Sequence, residues 1–113
     1  MLNDWSKLVG GLRAASEPFG EAHPQMLAAY RGLGAAQPGP GTLDAKTREL
    51  IALAVAVTTR CDGCIGSHAQ AATEAGATEA EVAEALGVAI ALNAGAAYVY
   101  SLRALDAVRE FEA

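Results

Sequence analysis

The chain has 113 residues, of which 52% are hydrophobic, and a formal net charge of -5 at neutral pH. This length suits one small domain over residues 1–113, near the lower end of the size range for a single core, so self-association is expected to add stability. The acidic balance excludes a phosphate-binding surface, because nucleic-acid binding draws on clustered Lys and Arg. We therefore predict no nucleic-acid partner.

The beginning of the chain has neither the basic start nor the continuous apolar run of a signal peptide, and the apolar run 50–57 is too short to span a bilayer. We therefore expect a cytoplasmic protein with no membrane partner. The only two cysteines lie three positions apart, and a disulfide in so small a loop would gain little from loop entropy and would be open to reduction in the cytosol. A reactive thiol pair or a metal site is favoured over a structural disulfide.

The first third of the chain predicts two helices. Apolar residues recur at helical spacing over residues 3–15 and again over residues 24–33. Pro24 is tolerated in a first helical turn, and Gly32 and Gly34 are expected to end the second helix.

A third helix is predicted over residues 43–59, with Thr42 as its cap and Asp44 in its first turn. Residues 50–57 are apolar on every face, which is typical of a central, fully buried helix. A buried strand is the alternative, given the β-branched residues, but the interleaved Ala and Leu and the uninterrupted length favour a helix.

The fourth helix should begin at the cysteine pair and end at Gly76, since glycine suits a left-handed C-terminal position. Thr78 and Glu81 have the spacing of a capping box, so a fifth helix is predicted over residues 79–92.

Asn93 and Gly95 are expected to interrupt that apolar face, and a last helix is predicted over residues 96–110. The fold class predicted from these elements is an all-α bundle of about six helices that self-associates.

Four residues form the most informative chemical pattern, Glu-x11-Cys-x2-Cys-x3-His, at Glu49, Cys61, Cys64 and His68. On a helix the two cysteines and the histidine line one face, with the thiols one turn apart, so they can close a disulfide locally. With Cys61 at the cap position, the free backbone N–H groups and the positive helix end favour a thiolate over a thiol.

His68 lies one turn beyond Cys64, where an imidazole can take up the thiol proton directly or through one water and later return it. Glu49 shares a helical face with Leu53 and Ala56, so its carboxylate is expected to lie on an apolar surface. Burying a carboxylate there without a hydrogen-bonding partner would cost free energy. We expect His68 to be that partner, with the carboxylate fixing its tautomer and raising its basicity.

Other interpretations of the same residues remain open. The cysteines could be two small buried hydrophobic residues, and a CxxC pair with a histidine is also found in zinc sites. A structural zinc site needs four ligands, however, and His23, expected at a helix start, is the only spare histidine. We predict no metal and no cofactor, and we expect Gly63 to keep access to the sulfur atoms open.

The residues around these four positions resemble a known family. The matching segments are Arg48-Glu-Leu-Ile-Ala-Leu-Ala-Val-Ala56, Cys61-Asp-Gly-Cys-Ile-Gly-Ser-His-Ala69 and Ala75-Gly-Ala-Thr78, which leads into an acidic helix. They resemble the alkylhydroperoxidase D (AhpD) core within the carboxymuconolactone decarboxylase-like superfamily. The resemblance covers about residues 43–105.

This resemblance implies an AhpD-like all-helical fold, assembly into homo-oligomers (dimer, trimer or hexamer) and reduction of small hydroperoxides at the dithiol. Carried over by position, Glu49 and His68 would form a proton relay, Cys64 would be the thiol that peroxide oxidises, and Cys61 would resolve the resulting sulfenic acid to a disulfide. A dithiol reductant, such as a lipoyl-bearing protein, would recharge the pair.

Two other functions are alternatives to hydroperoxide reduction. The decarboxylases of the superfamily resemble this chain around Glu49 and His68 but generally lack the cysteine pair, so the presence of both thiols favours thiol chemistry. A non-catalytic, redox-sensing oligomeric module is the other alternative.

Overall fold

The computed structural model of the chain describes residues 2–112, and within that range every regular element is a helix. This confirms the predicted all-α class. There are five helices rather than about six: α1 (Trp5–Ala22), α2 (Pro24–Ala36), α3 (Ala45–Thr59), α4 (Asp62–Glu74) and α5 (Glu79–Glu112).

Short-range capping fixes where the helices begin. The carboxylate of Asp44 accepts a hydrogen bond from the Thr47 N–H at 2.8 Å, so Asp44, and not Thr42, caps α3. At the start of α5 the predicted capping box is present: Thr78 Oγ1 accepts from the Glu81 N–H at 3.1 Å, and Glu81 Oε1 accepts from the Thr78 N–H at 2.9 Å. These bonds satisfy N–H groups that no helical carbonyl can reach.

The predicted ends of the first two helices are wrong, since both helices are longer than expected. The first helix continues through Pro18 to Ala22, so the loss of one N–H donor is tolerated there. The second passes Gly32 and Gly34 and ends at Ala36. Glycine weakens a helix by about 1 kcal/mol relative to alanine, which alanine-rich neighbours can offset.

The predicted fifth and sixth helices are one continuous helix, α5, of 34 residues. Asn93 does not interrupt it, because its side-chain amide donates to the Ala89 carbonyl at 2.7 Å, within the same helix. That bond satisfies a polar side chain that would otherwise compete with the helical backbone.

Helix α3 lies at the centre of the packing, in contact with α4 on one side and α5 on another, while α1 contacts α4 and α2. Leu53 and Ala56 are buried at 4% and 2% exposure. The prediction of a fully buried α3 is wrong, however, since Ile51 and Val55 are 49% and 54% exposed. The helix is central within the chain but is covered on only part of its circumference.

One helix in the described part of the chain, α5, is long and apolar enough by length and composition to cross a membrane. It contains 18 consecutive uncharged residues, 85–102, which the prediction from run 50–57 overlooked. Only 6% of its most apolar window is buried within the chain.

Candidate functional site: a disulfide beside a Glu–His pair

The turn between α3 and α4 places the first cysteine at a helix N-terminus. Arg60, the residue after α3, adopts a left-handed conformation with φ 54° and ψ 48°. The Cys61 N–H then donates back to the Ala56 carbonyl at 3.1 Å, which closes α3 as a Schellman-type end. Only Arg60 and Cys61 separate the two helices, so Cys61 is the N-cap of α4, as predicted.

The two cysteines are joined in a disulfide, with their Cα atoms 5.2 Å apart. This confirms the prediction that the pair can close locally. Both residues are partly buried, and the Cys64 N–H donates to Cys61 Sγ at 3.1 Å. The same N–H is placed to stabilise a Cys61 thiolate after reduction, because it lies in the first turn, where N–H groups lack helical partners.

Glu49 and His68 join α3 to α4 beside the disulfide. His68 Nδ1 lies 2.6 Å from Glu49 Oε2, so the predicted hydrogen bond is present. The Glu49 side chain is 23% exposed and that of His68 is 41% exposed. An ionised carboxylate can only accept, so Nδ1 carries the proton and Nε2 of the neutral ring is left free to accept one.

His68 and Cys64 share one face of α4. They stand four positions apart on this helix, a separation at which side chains are neighbours with Cβ atoms about 5–6 Å apart. The structure therefore brings all four predicted residues together: Glu49 binds His68, His68 neighbours Cys64, and Cys64 is bonded to Cys61. Their catalytic roles remain predictions.

Helix α1 covers the other flank of the cysteine pair through two glycines. A Cβ atom on Gly63 would lie 2.5 Å from Leu12 Cδ1, and one on Gly66 would lie 2.9 Å from Val9 Cγ2. Leu12 therefore lies against Gly63 on this flank, while the expectation that Gly63 keeps access to the sulfur atoms open stays a prediction. Sequence reasoning missed Leu12; the Gly63-x-x-Gly66 spacing, which puts two glycines near one face of a helix, was the available signal for a close helix contact.

The close approach of α1 to α4 gives a stability prediction. We expect Gly66→Ala to lower the free energy of unfolding by about 1–3 kcal/mol, since it overpacks a contact with Val9. Val9 is buried and β-branched, so it has little freedom to move aside. The measurement is denaturant unfolding at matched protein concentration.

Gly11→Ala is the matched control, because it makes the same change in α1 where nothing lies within 4 Å of the new Cβ. It should raise stability by about 0.5–1 kcal/mol through helix propensity alone. Equal stabilities for the two variants would contradict the packing argument.

An ion pair holds α3 against the start of α5. Lys46 Nζ lies 2.8 Å from Glu81 Oε2. The hydrogen bond from Lys46 holds the pKa of Glu81 below its ordinary value, with a further lowering by the Thr78 N–H, and Glu81 in turn raises the pKa of Lys46. Both side chains are about one-third exposed, so the pair orients the helices more than it stabilises them.

The second histidine lies away from this site. His23 caps α2, where its Nδ1 accepts from the Met26 N–H at 3.3 Å, as its predicted position at a helix start implied. Within residues 2–112 no group of three or more His, Cys, Asp or Glu side chains is arranged to hold a metal ion.

The all-helical fold and the disulfide beside a Glu–His pair define a helical dithiol protein. The family model described as "Carboxymuconolactone decarboxylase family" matches residues 23–107. The chain belongs to this family, which confirms the resemblance drawn from the sequence.

The chain is also similar to individual proteins and to solved structures. An uncharacterized protein of Haemophilus influenzae is 60% identical over 95% of both chains. A crystal structure of a carboxymuconolactone decarboxylase family protein from Legionella pneumophila, in its apo form, matches with a TM-score of 0.73 and 35% identity, covering 96% of this chain and 97% of that one. A protein from Methanobacterium thermoautotrophicum matches with a TM-score of 0.68 and 37% identity, covering 74% and 93%.

Proposed function

We propose that this protein is a thiol-dependent hydroperoxide reductase. The observation that carries the proposal is the Cys61–Cys64 disulfide at the N-terminus of α4, with Cys64 one helical turn from a histidine that is bound to Glu49. The family includes enzymes of both decarboxylase and peroxidase-like type. The dithiol favours the second type for this chain.

In the proposed reaction the reduced protein meets a small hydroperoxide. His68 Nε2 takes the proton of the Cys64 thiol, and the thiolate attacks the terminal oxygen of the peroxide. The O–O bond breaks, the alcohol leaves with the proton returned by His68, and Cys64 becomes a sulfenic acid.

The second half of the cycle closes the disulfide. The Cys61 thiol gives up its proton and the resulting thiolate attacks the Cys64 sulfur. The S–O bond breaks, and the departing hydroxide takes up that proton and leaves as water. One hydroperoxide and two thiols thus give one alcohol, one water and one disulfide. Both electrons come from the protein dithiol, and an external dithiol returns them by thiol–disulfide exchange.

The reductant is proposed to be a dithiol, such as a lipoyl group carried on another protein. A lipoyl dithiol can form a mixed disulfide with one cysteine and then close its own ring, releasing the reduced pair. Both the reductant and the hydroperoxide are small groups that could approach the partly exposed side of the site where His68 lies.

The test is a turnover assay on the full chain with an organic hydroperoxide and reduced lipoamide or dithiothreitol. We expect catalytic consumption of hydroperoxide, well above the rate of free dithiol at the same concentration. A rate no faster than free dithiol would contradict the enzyme proposal, and one stoichiometric oxidation without turnover would favour the redox-sensing alternative. Turnover of carboxymuconolactone by a protein lacking both cysteines would instead indicate a decarboxylase.

A further inference from the structure

Arg60 is the only residue other than glycine that has a positive φ in the described part of the chain. The other residues with this left-handed backbone are Gly39, Gly41 and Gly76. Glycine is the usual residue for the conformation, because a Cβ atom disfavours it. The chain therefore has the suitable residue at three left-handed positions and keeps a strained one at the fourth.

The strained residue lies directly before the cysteine pair. Arg60 ends α3, and the next residue, Cys61, caps α4. The bond that closes α3 runs from the Cys61 N–H to the Ala56 carbonyl, so it needs the left-handed backbone but not the arginine side chain. Strained residues of this kind cluster at functional sites. The folding of this turn therefore explains the conformation of Arg60 and leaves its side chain unexplained.

Arg60 is also the only Lys or Arg between residues 49 and 102. Six Asp or Glu residues occur in the same stretch, at positions 49, 62, 74, 79, 81 and 84. The side chain of Arg60 is exposed, and neither of the two ion pairs among the described residues involves it. Its charge is therefore available to the neighbouring cysteines.

The carboxylates around the pair oppose the ionisation of a thiol. Glu49 is bonded to His68, so these two residues together carry one negative charge when the imidazole ring is neutral. Asp62 adds a second negative charge in the first turn of α4. At 100° per residue Asp62 points about 160° away from Cys64, but it directly follows Cys61 in the chain. A thiolate on Cys61 would therefore need a positive charge nearby.

Helix α1, which also packs against this turn, directs its nearest arginine elsewhere. Leu12 is the α1 side chain that lies against Gly63. The next residue, Arg13, lines a groove together with Thr73, and Thr73 lies about 180° around α4 from Cys64. The arginine that precedes the cysteine pair is therefore the cation that the structure places beside it.

We propose that Arg60 is a positioning residue that acts through Cys61: its guanidinium offsets the surrounding carboxylates and holds the Cys61 sulfur as a thiolate at neutral pH. The Cys64 N–H, which already donates to that sulfur, acts in the same direction. A single charge on a neighbouring exposed residue changes a thiolate fraction roughly 3- to 10-fold. The use of this thiolate to resolve a sulfenic acid rests on the proposed function, whereas the charge effect itself does not.

The test is the rate of iodoacetamide alkylation against pH, without hydroperoxide, in the reduced full chain carrying Cys64→Ser so that only the Cys61 thiol titrates. We expect Arg60→Gly to lower the rate at pH 7 about 3- to 10-fold and to move half-maximal alkylation up by about 0.5–1 pH unit. The same change should raise the melting temperature by about 4–8 °C, because it relieves the left-handed strain. A purely structural arginine would give the gain in stability without the shift in pH.

Two variants control for charge and for the position of the charge. Arg60→Lys keeps both the positive charge and the strain, so its alkylation rate should stay within about twofold of the parent protein. Arg13→Gln removes one positive charge from α1 and should leave the pH profile unchanged. An unchanged profile in Arg60→Gly, or an equal shift in Arg13→Gln, would overturn the proposal.

A second measurement covers the case in which the Cys64→Ser protein fails to fold. The reduced chain with both cysteines is then alkylated, and the modified cysteine is located by peptide mass. We expect Arg60→Gly to slow alkylation mainly at Cys61, and slowing confined to Cys64 would overturn the assignment. A shift at Cys61 in a protein that shows no hydroperoxide turnover would support the role of Arg60 and contradict the proposed function alone.

Discussion

Replacing Cys64 by serine is expected to abolish hydroperoxide turnover and, with it, any oxidation of the protein by stoichiometric peroxide. The proposed first step places the oxygen on Cys64, whose helical neighbour His68 holds a free ring nitrogen. A serine hydroxyl at that position has neither the acidity nor the nucleophilicity of a thiol. The measurements are turnover in the coupled assay and the mass of the protein after one equivalent of hydroperoxide.

Cys61→Ser is the matched variant, because it makes the same chemical change three residues earlier. It should also lose turnover, but it should still form one sulfenic acid on Cys64, which dimedone traps as a mass adduct. Trapping on Cys61 in the Cys64→Ser protein, with none on Cys64 in the Cys61→Ser protein, would reverse the two roles. Both variants lack the disulfide, so equal thermal stabilities would show that differences in trapping come from chemistry.

Replacing His68, the proposed base, should have the next largest effect on the turnover rate. We expect His68→Gln to lower turnover roughly 10²- to 10⁴-fold, the usual contribution of a positioned acid or base. Glu49→Gln should lower it about 10- to 100-fold, because the amide can still bond to the imidazole ring but no longer stabilises it as the charged base. Rates of hydroperoxide consumption and of iodoacetamide alkylation of the reduced protein both report the change.

The double variant tests whether the carboxylate acts through the imidazole. If Glu49 works only by orienting and stabilising His68, then Glu49→Gln combined with His68→Gln should be no slower than His68→Gln alone. Additive losses would show that Glu49 acts on substrate or thiol by itself.

His23→Gln changes the only other histidine of the chain, which caps α2 outside the site, and should leave the rate within about twofold. A similar loss in this control would trace the effect of His68→Gln to folding rather than to proton transfer.

The parts of the fold that follow from local chemistry were predictable. The capping box at Thr78, the left-handed Gly76 and the cysteine at the start of α4 each depend on residues within one or two turns. The Glu49–His68 contact spans 19 positions, yet it was also predicted, because a carboxylate on an apolar helix face has few ways to be satisfied.

Other features depend on contacts between distant parts of the chain. Leu12 lies against Gly63 because of the way α1 packs on α4. The spacing of Gly63 and Gly66 indicates a close helix contact, but it does not show which helix makes that contact. The ends of α1 and α2 also depend on surrounding residues. Helix α1 continues through Pro18, and α2 continues past Gly32 and Gly34, which were expected to end it.

The sequence by itself determined the helical class, the family and the four residues of the site, because capping, periodicity and the spacing of reactive groups are local properties of the chain. Tertiary structure decided that α3 is covered on only part of its circumference and that α5 is one helix whose second half is exposed. The reason is physical: apolar periodicity shows that a helix face must be covered, while only the packing shows whether this chain covers it.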